Sequence, residues 1–83
     1  MSKLTIVVVQ ERWVLVGEAT QHANHVTLHN AHVIRRWGTA DGIGQLALSG
    51  PTKDTVLEPT GIAHIPQHAV LMQIEVTDGV WKL

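Results

Sequence analysis

The run Leu4-Thr5-Ile6-Val7-Val8-Val9 constrains the fold of this chain most, because every residue after Leu4 is β-branched. β-branched side chains pack well on a pleated surface, so the run predicts a β-strand. Its apolar residues do not alternate with polar ones, as they would in a strand with one face in water. We therefore expect both faces of this strand to be covered. In so short a chain, one of the covers is expected to come from a second copy.

The size and composition of the chain favour self-association. Its 83 residues form one domain, spanning residues 1–83, whose core is small for its surface. The absence of Cys excludes disulfides and thiolate metal sites, which stabilise many small domains. Hydrophobic residues make up 45% of the chain and charged residues 16%, against about 25% charged in ordinary proteins. This excess of apolar surface predicts a homo-oligomer.

The net charge and the first residues narrow the partners and the location. The formal net charge is −1, whereas proteins that bind long phosphate backbones carry a basic excess. Duplex DNA is therefore not an expected partner, and a phosphate site would be local. Met1-Ser2-Lys3 is followed by six mainly apolar residues, too few for a secretory signal or a membrane span. We expect a soluble, cytoplasmic protein with no membrane partner.

Short strands separated by turns are predicted along most of the chain. In the segment 25–29, strict alternation places Val26 and Leu28 inward and His25, Thr27 and His29 outward. Pro66 argues for an edge strand, and Asp78-Gly79 predicts a hairpin turn. After the first strand, the predicted strands are 13–16, 25–29, 32–37, 55–57, 62–65, 69–76 and 80–83. The strand 13–16 ends at Gly17, with 18–20 as a frayed continuation, and a bulge at Asn30-Ala31 joins 25–29 to 32–37. A turn at 58–61 precedes the strand 62–65.

One helix is predicted, between Thr39 and Ser49. Thr39 or Asp41 can cap its start, and Gly50-Pro51 ends it. The apolar residues with helical spacing are Ile43, Leu46 and Ala47. Gly42 and Gly44 limit the helix to two turns. The whole pattern predicts a mainly β fold, a small and strongly bent sheet or open barrel with one short helix around residues 40–49.

The segment Arg35-Arg36-Trp37-Gly38-Thr39 is the candidate ligand site. Guanidinium groups bind phosphate or carboxylate through paired hydrogen bonds, and an indole ring offers a flat face for a base. Glycine lets backbone N–H groups approach an anion, and N–H groups at a helix start attract one. Neighbouring strand residues point to opposite faces, so only one of Arg35 and Arg36 is expected to reach the ligand within one subunit. A solvated arginine pair beside a core tryptophan is the alternative interpretation.

Metal, cofactor and catalytic sites are not predicted. The histidines are His22, His25, His29, His32, His64 and His68. His25 and His29 share a strand face, and His64 and His68 would lie one helical turn apart, but neither pair supplies the three or four ligands that zinc needs. No nucleophile motif or convergent carboxylate pair is present, so we expect no enzyme and no cofactor. Trp13 and Trp81 are expected to serve packing or a subunit contact.

Two resemblances add to this interpretation. Trp13-Val14-Leu15-Val16-Gly17 and the segment 25–34, with its Leu28-His29-Asn30-Ala31, resemble the first half of an Sm-like domain, a bent five-stranded SH3-type barrel that forms rings and binds RNA. The wider pattern resembles a family of small uncharacterised proteins of tailed bacteriophages and prophages. The residues of this chain that carry the second resemblance are Trp37-Gly38-Thr39, Gly44-Gln45-Leu46-Ala47, Gly50-Pro51 and Thr77-Asp78-Gly79-Val80-Trp81.

The function predicted from these observations is that of a non-enzymatic, phage-derived homo-oligomer that binds a small anionic, nucleotide-like ligand. By analogy with small phage proteins that have interfacial pockets, it would sequester a nucleotide second messenger of bacterial immunity. Its location would then be the cytoplasm of an infected or lysogenic bacterial host. An Sm-like RNA-binding ring and a structural or protein-interaction oligomer are the alternatives.

Overall fold

The computed structural model describes residues 3–39 and 42–81, which form one antiparallel sheet and one helix. The elements are β1 (Lys3–Val9), a 3₁₀ turn (Gln10–Arg12), β2 (Trp13–Gln21), β3 (His25–Arg36), α1 (Ile43–Ser49), β4 (Val56–Pro66), a second 3₁₀ turn (Gln67–Ala69) and β5 (Val70–Glu75). The strand order is β4-β3-β2-β1-β5, so β4 and β5 form the edges of an open sheet. The mainly β prediction, with one short helix, is confirmed. No helix in the described ranges is long and apolar enough to cross a membrane.

Both faces of the sheet are apolar, as the first strand predicts. Along β1, Ile6 belongs to one buried cluster and its neighbour Val7 to another. The first cluster also contains residues from β2 and β3 and is covered by α1 and by the segment after β5. The second cluster joins apolar residues from all five strands. Neighbouring residues of the central strands, such as Ile6 and Val7, are therefore buried on opposite faces of the sheet.

Helix α1 forms because Leu46 and Ala47 are buried against the first cluster while Ile43 packs at its margin. Its two turns and its end at Gly50 agree with the prediction. The predicted side-chain cap is absent at Thr39, because the residue before the helix is Gly42 and the Thr39 hydroxyl donates to the Gly42 carbonyl at 2.8 Å. Asp41, the other predicted cap, lies outside the described residues.

Two predicted strand ends are wrong. β2 does not end at Gly17: the segment 18–20, predicted as a frayed continuation, is regular strand, and β2 runs to Gln21. A Cβ at Gly17 would lie 3.0 Å from the His29 carbonyl oxygen, so this glycine permits close approach of β3 rather than a turn. The predicted turn at 58–61 is instead part of β4, because a strand at the edge of the sheet tolerates a proline such as Pro59, which lacks an N–H. The edge position and the bulge at Asn30-Ala31, where Asn30 has φ 52°, are confirmed.

Two further predictions about side chains and pairing are wrong. Thr27 is 5% exposed rather than outward, because its hydroxyl is covered by His64 on β4, with Oγ1 and Nδ1 3.2 Å apart. Val80 and Trp81 do not form a return strand after β5. Burial of the Trp81 ring in the first cluster takes precedence over strand pairing, and its indole N–H donates to the Leu46 carbonyl at 2.8 Å. Lys82 and Leu83 lie outside the described residues.

Replacing Leu46 tests whether α1 holds the first cluster together. Leu46 is 0% exposed, so Leu46→Ala should lower the free energy of unfolding by about 2–5 kcal/mol through lost burial and a cavity. Leu48, on the same helix and 71% exposed, is the matched control, and Leu48→Ala should change stability by less than about 0.5 kcal/mol. Urea unfolding followed by tryptophan fluorescence measures both values. Equal effects would contradict the assignment of the helix face.

Candidate functional site

The turn between β1 and β2 has an unusual backbone. Glu11 has φ 64° and Arg12 has φ 70°, both in the left-handed region that glycine and asparagine usually occupy. Val9 and Trp13 pair on either side, so the turn closes a three-residue loop. Two consecutive non-glycine residues in this region cost about 1–3 kcal/mol each and persist only where the surroundings impose them. Such outliers occur often at ligand sites, which makes this turn a candidate.

A cleft of about 290 Å³ opens beside this turn. It is lined by Glu11, Arg12, Trp13, Val14, Val33, Ile34 and Arg35. The antiparallel pairing of β2 with β3 explains why these residues lie together, because Leu15 pairs with Val33 and the two strands extend beyond that pair to Trp13 and Arg35. The cleft therefore combines two cationic side chains with an indole ring that is 49% exposed. An anion with an attached flat ring matches this chemistry.

The charges around the cleft are only partly paired. Arg35 forms an ion pair with Glu58 on β4, with Nη1 and Oε1 3.5 Å apart. The other ion pair within residues 3–39 and 42–81 joins Lys3 to Glu75, so Arg12 takes part in neither. Both partners of the Arg35 pair are exposed by more than half of their side chains. Exposed pairs of this kind are worth about 0–1 kcal/mol, so an incoming anion can replace Glu58 at little cost.

The five residues predicted as the ligand site are divided by the structure. Arg35 lines the cleft, whereas Arg36, Trp37, Gly38 and Thr39 do not. Arg36 and Trp37 are exposed at the end of β3 and beyond it. Helix α1 starts at Ile43, so its first N–H groups do not follow the two arginines directly. Of the predicted set, Arg35 is the residue that lines this cleft together with a second cationic residue, Arg12.

Gly38 and its neighbours are held by the turn at 52–55. The Thr52 hydroxyl donates to the Gly38 carbonyl at 2.6 Å, and the Thr55 hydroxyl donates to the Trp37 carbonyl at 2.6 Å. Gly38 has φ 67°, and a Cβ there would lie 2.3 Å from the Asp54 carbonyl carbon. These contacts give Gly38 a structural reason to be glycine that requires no ligand.

Three of the histidines, His22, His25 and His64, lie together at the opposite end of β2. The rings of His22 and His25 stack with centroids 4.4 Å apart, and His64 meets His25 edge-on at 5.8 Å. His64 lies on β4 and His68 in the second 3₁₀ turn, so the predicted helical spacing of these two is wrong. In the described part of the chain, no group of three or more His, Asp or Glu side chains is placed to hold a metal ion.

A second cleft, of about 270 Å³, has the wrong charge for an anion. Its charged lining residues are Glu18 and Asp78, beside Trp81. Among residues 3–39 and 42–81, no arginine, lysine or histidine lines it. An anionic ligand is therefore matched by the cleft at the β1–β2 turn and not by this one.

No family model, curated protein or solved structure matches the chain. The chemistry of the cleft is therefore what bears on function. The sequence analysis did not select Arg12 and assigned Trp13 to packing or a subunit contact. The sequence does contain a sign of the site, since Glu11 and Arg12, an acidic and a basic residue, are followed directly by Trp13. The link from these residues to Arg35, however, depends on how β2 pairs with β3.

A pair of glycine substitutions tests the role of Gly38. Gly61 also has a positive φ, 79°, but nothing lies within 4 Å of a Cβ placed there. Gly61→Ala should therefore cost about 1–2 kcal/mol, the conformational penalty alone. Gly38→Ala should cost clearly more, because its Cβ meets backbone that must move. Thermal unfolding compares the two, and equal losses would contradict the structural role given to Gly38.

Proposed function

We propose that this chain is a non-enzymatic, homo-oligomeric protein that binds a small anionic, nucleotide-like ligand in the cleft beside the β1–β2 turn. The observation that carries the proposal is that Arg12 and Arg35, from separate elements, line one cleft with the half-exposed Trp13. Two guanidinium groups can hold a phosphate from two sides, and the indole can stack on a base. Sequestering a nucleotide messenger in a phage-infected cell remains a prediction within this proposal.

The size of the cleft supports a small ligand. Its volume of about 290 Å³ lies at the lower end of ordinary ligand pockets, which are about 300–1,000 Å³. One nucleotide unit fits such a space better than a polymer does. The formal net charge of −1 also supports a local phosphate site rather than a long basic surface.

Self-association is supported by the two edges of the open sheet. β4 and β5 have pairing partners on one side only, and both expose large apolar side chains. These are Val56 and Ile62 on β4, and Leu71 and Met72 on β5. An unpaired apolar edge favours addition of another strand, and a second copy carries the complementary edge. Because assembly through these edges is also compatible with a ring, an Sm-like RNA-binding ring is the second candidate.

Arginine substitutions test the ligand site. Arg12→Ala and Arg35→Ala should each weaken binding of adenosine or guanosine monophosphate by about 10- to 150-fold, because each removes a charge-assisted contact. Arg36→Ala is the matched control, since Arg36 is exposed and does not line the cleft. Isothermal titration calorimetry at fixed salt measures the affinities. If Trp37→Ala and Arg36→Ala abolished binding while Arg12→Ala had no effect, the site would lie at residues 35–39 instead.

The length of the nucleic acid and the salt concentration separate the two candidates. A single nucleotide releases few counterions, so its affinity should fall only slightly between 50 and 200 mM salt. An RNA-binding ring should instead bind a single-stranded oligonucleotide far more tightly than a mononucleotide, with a steep salt dependence. Binding of the oligonucleotide alone would favour the ring, and failure of all these ligands would favour a structural oligomer.

The edge strands also give a test of assembly. Light scattering after size exclusion should report at least two subunits at low micromolar concentration. Ile62→Lys and Met72→Lys should reduce this mass, because a charge on either edge opposes strand addition. Leu48→Lys on helix α1 is the matched control, as Leu48 is exposed and belongs to the helix rather than to an edge strand. A wild-type monomer that unfolds cooperatively would contradict self-association.

A further inference from the structure

A carboxylate shares the cleft with the two arginines. Glu11 lines the same cavity as Arg12 and Arg35, and the backbone at φ 64° fixes where its side chain leaves the turn. Within the described residues, neither ion pair includes Glu11, although Arg12 follows it directly. An ionised carboxylate only accepts hydrogen bonds. A simple anion in this cleft would therefore meet two favourable charges and one repulsive charge.

We propose that Glu11 is a specificity-determining residue that selects ribose-bearing nucleotides. Its carboxylate accepts hydrogen bonds from the 2′- and 3′-hydroxyls while Arg12 and Arg35 hold the phosphate and Trp13 faces the base. The inference rests on the proposed function, since it assigns the ligand class of the same cleft. A ribonucleotide carries donors and an anion close together, so it satisfies all three charged side chains at once.

The backbone of the turn supports a role for the Glu11 side chain. A three-residue connection with positive φ values is most easily made with glycine or asparagine. Glu11 and Arg12 keep long charged side chains there at a conformational cost. Their charges would add nothing to the pairing of Val9 with Trp13, which uses backbone atoms alone. Both side chains point to a ligand-related reason for their presence.

The experiment compares adenosine and guanosine monophosphates with their 2′,3′-dideoxy counterparts and with inorganic phosphate, by calorimetry on the full chain. Wild-type protein should bind at least one ribonucleotide about tenfold or more tightly than its dideoxy counterpart, because hydrogen bonds to a charged group are lost. Glu11→Gln should reduce that ratio to below about threefold and strengthen the binding of inorganic phosphate. Glu11→Asn, which tolerates a positive φ, should do the same if Glu11→Gln fails to fold.

Glu18→Gln is the matched control, because it removes an exposed carboxylate from the same hairpin but from the other cleft. It should leave the ribose preference unchanged. Equal affinities for ribo- and dideoxynucleotides in the wild type, or a ratio that survives Glu11→Gln and Glu11→Asn, would overturn the inference and leave the proposed function standing. Absence of binding by every nucleotide and by phosphate would overturn both.

Discussion

Burial of β1 on both faces is the constraint on which the rest of this structure depends. Ile6 and Val7 are adjacent, fully buried and in different clusters, so the sheet needs a cover on each side. Apolar residues of all five strands pack together in the second cluster. The first cluster needs α1 and Trp81, and their indole-to-carbonyl hydrogen bond joins the two covering segments. An 83-residue chain thus covers most of its apolar sheet from within, and leaves apolar residues exposed at the two edges.

Elements whose sequence has a strong local pattern could be predicted. Elements whose bounds or pairing depend on residues that are distant in the sequence could not. The β-branched run, the spacing in α1 and the bulge at Asn30 each depend on a few consecutive residues. The length of β4 depends on its place at the edge, which local sequence around Pro59 does not report. Trp81 has strand propensity but packs on α1, because burying a large ring stabilises more than one additional pairing. Tertiary contacts prevail over propensity in each of these cases.

The residues of the candidate site divide in the same way, into one that a local sequence pattern selects and others that only the fold brings to it. Arg35 could be selected from the sequence, because an arginine pair before tryptophan and glycine matches anion chemistry. Gly38 matched the same pattern, yet the Asp54 backbone accounts for it. Arg12 and Trp13 lie more than twenty positions before Arg35, and only the β2–β3 register brings them to one cleft. A motif confined to one segment cannot reveal a site that a turn and two strands form together.

The strained turn and the two-sided burial are connected. Val8 and Val9 before the turn, and Val14 and Leu15 after it, pack on opposite clusters, so both ends of the hairpin are anchored on each face. A loop of three residues between such anchors has little freedom to relax its positive φ values. The conformational cost of holding the backbone of Glu11 and Arg12 is therefore met when the chain folds and not when a ligand binds. A site formed in advance in this way can hold a small ligand with few contacts. The burial that anchors both ends of the hairpin therefore also constrains the backbone of the turn that lines the cleft.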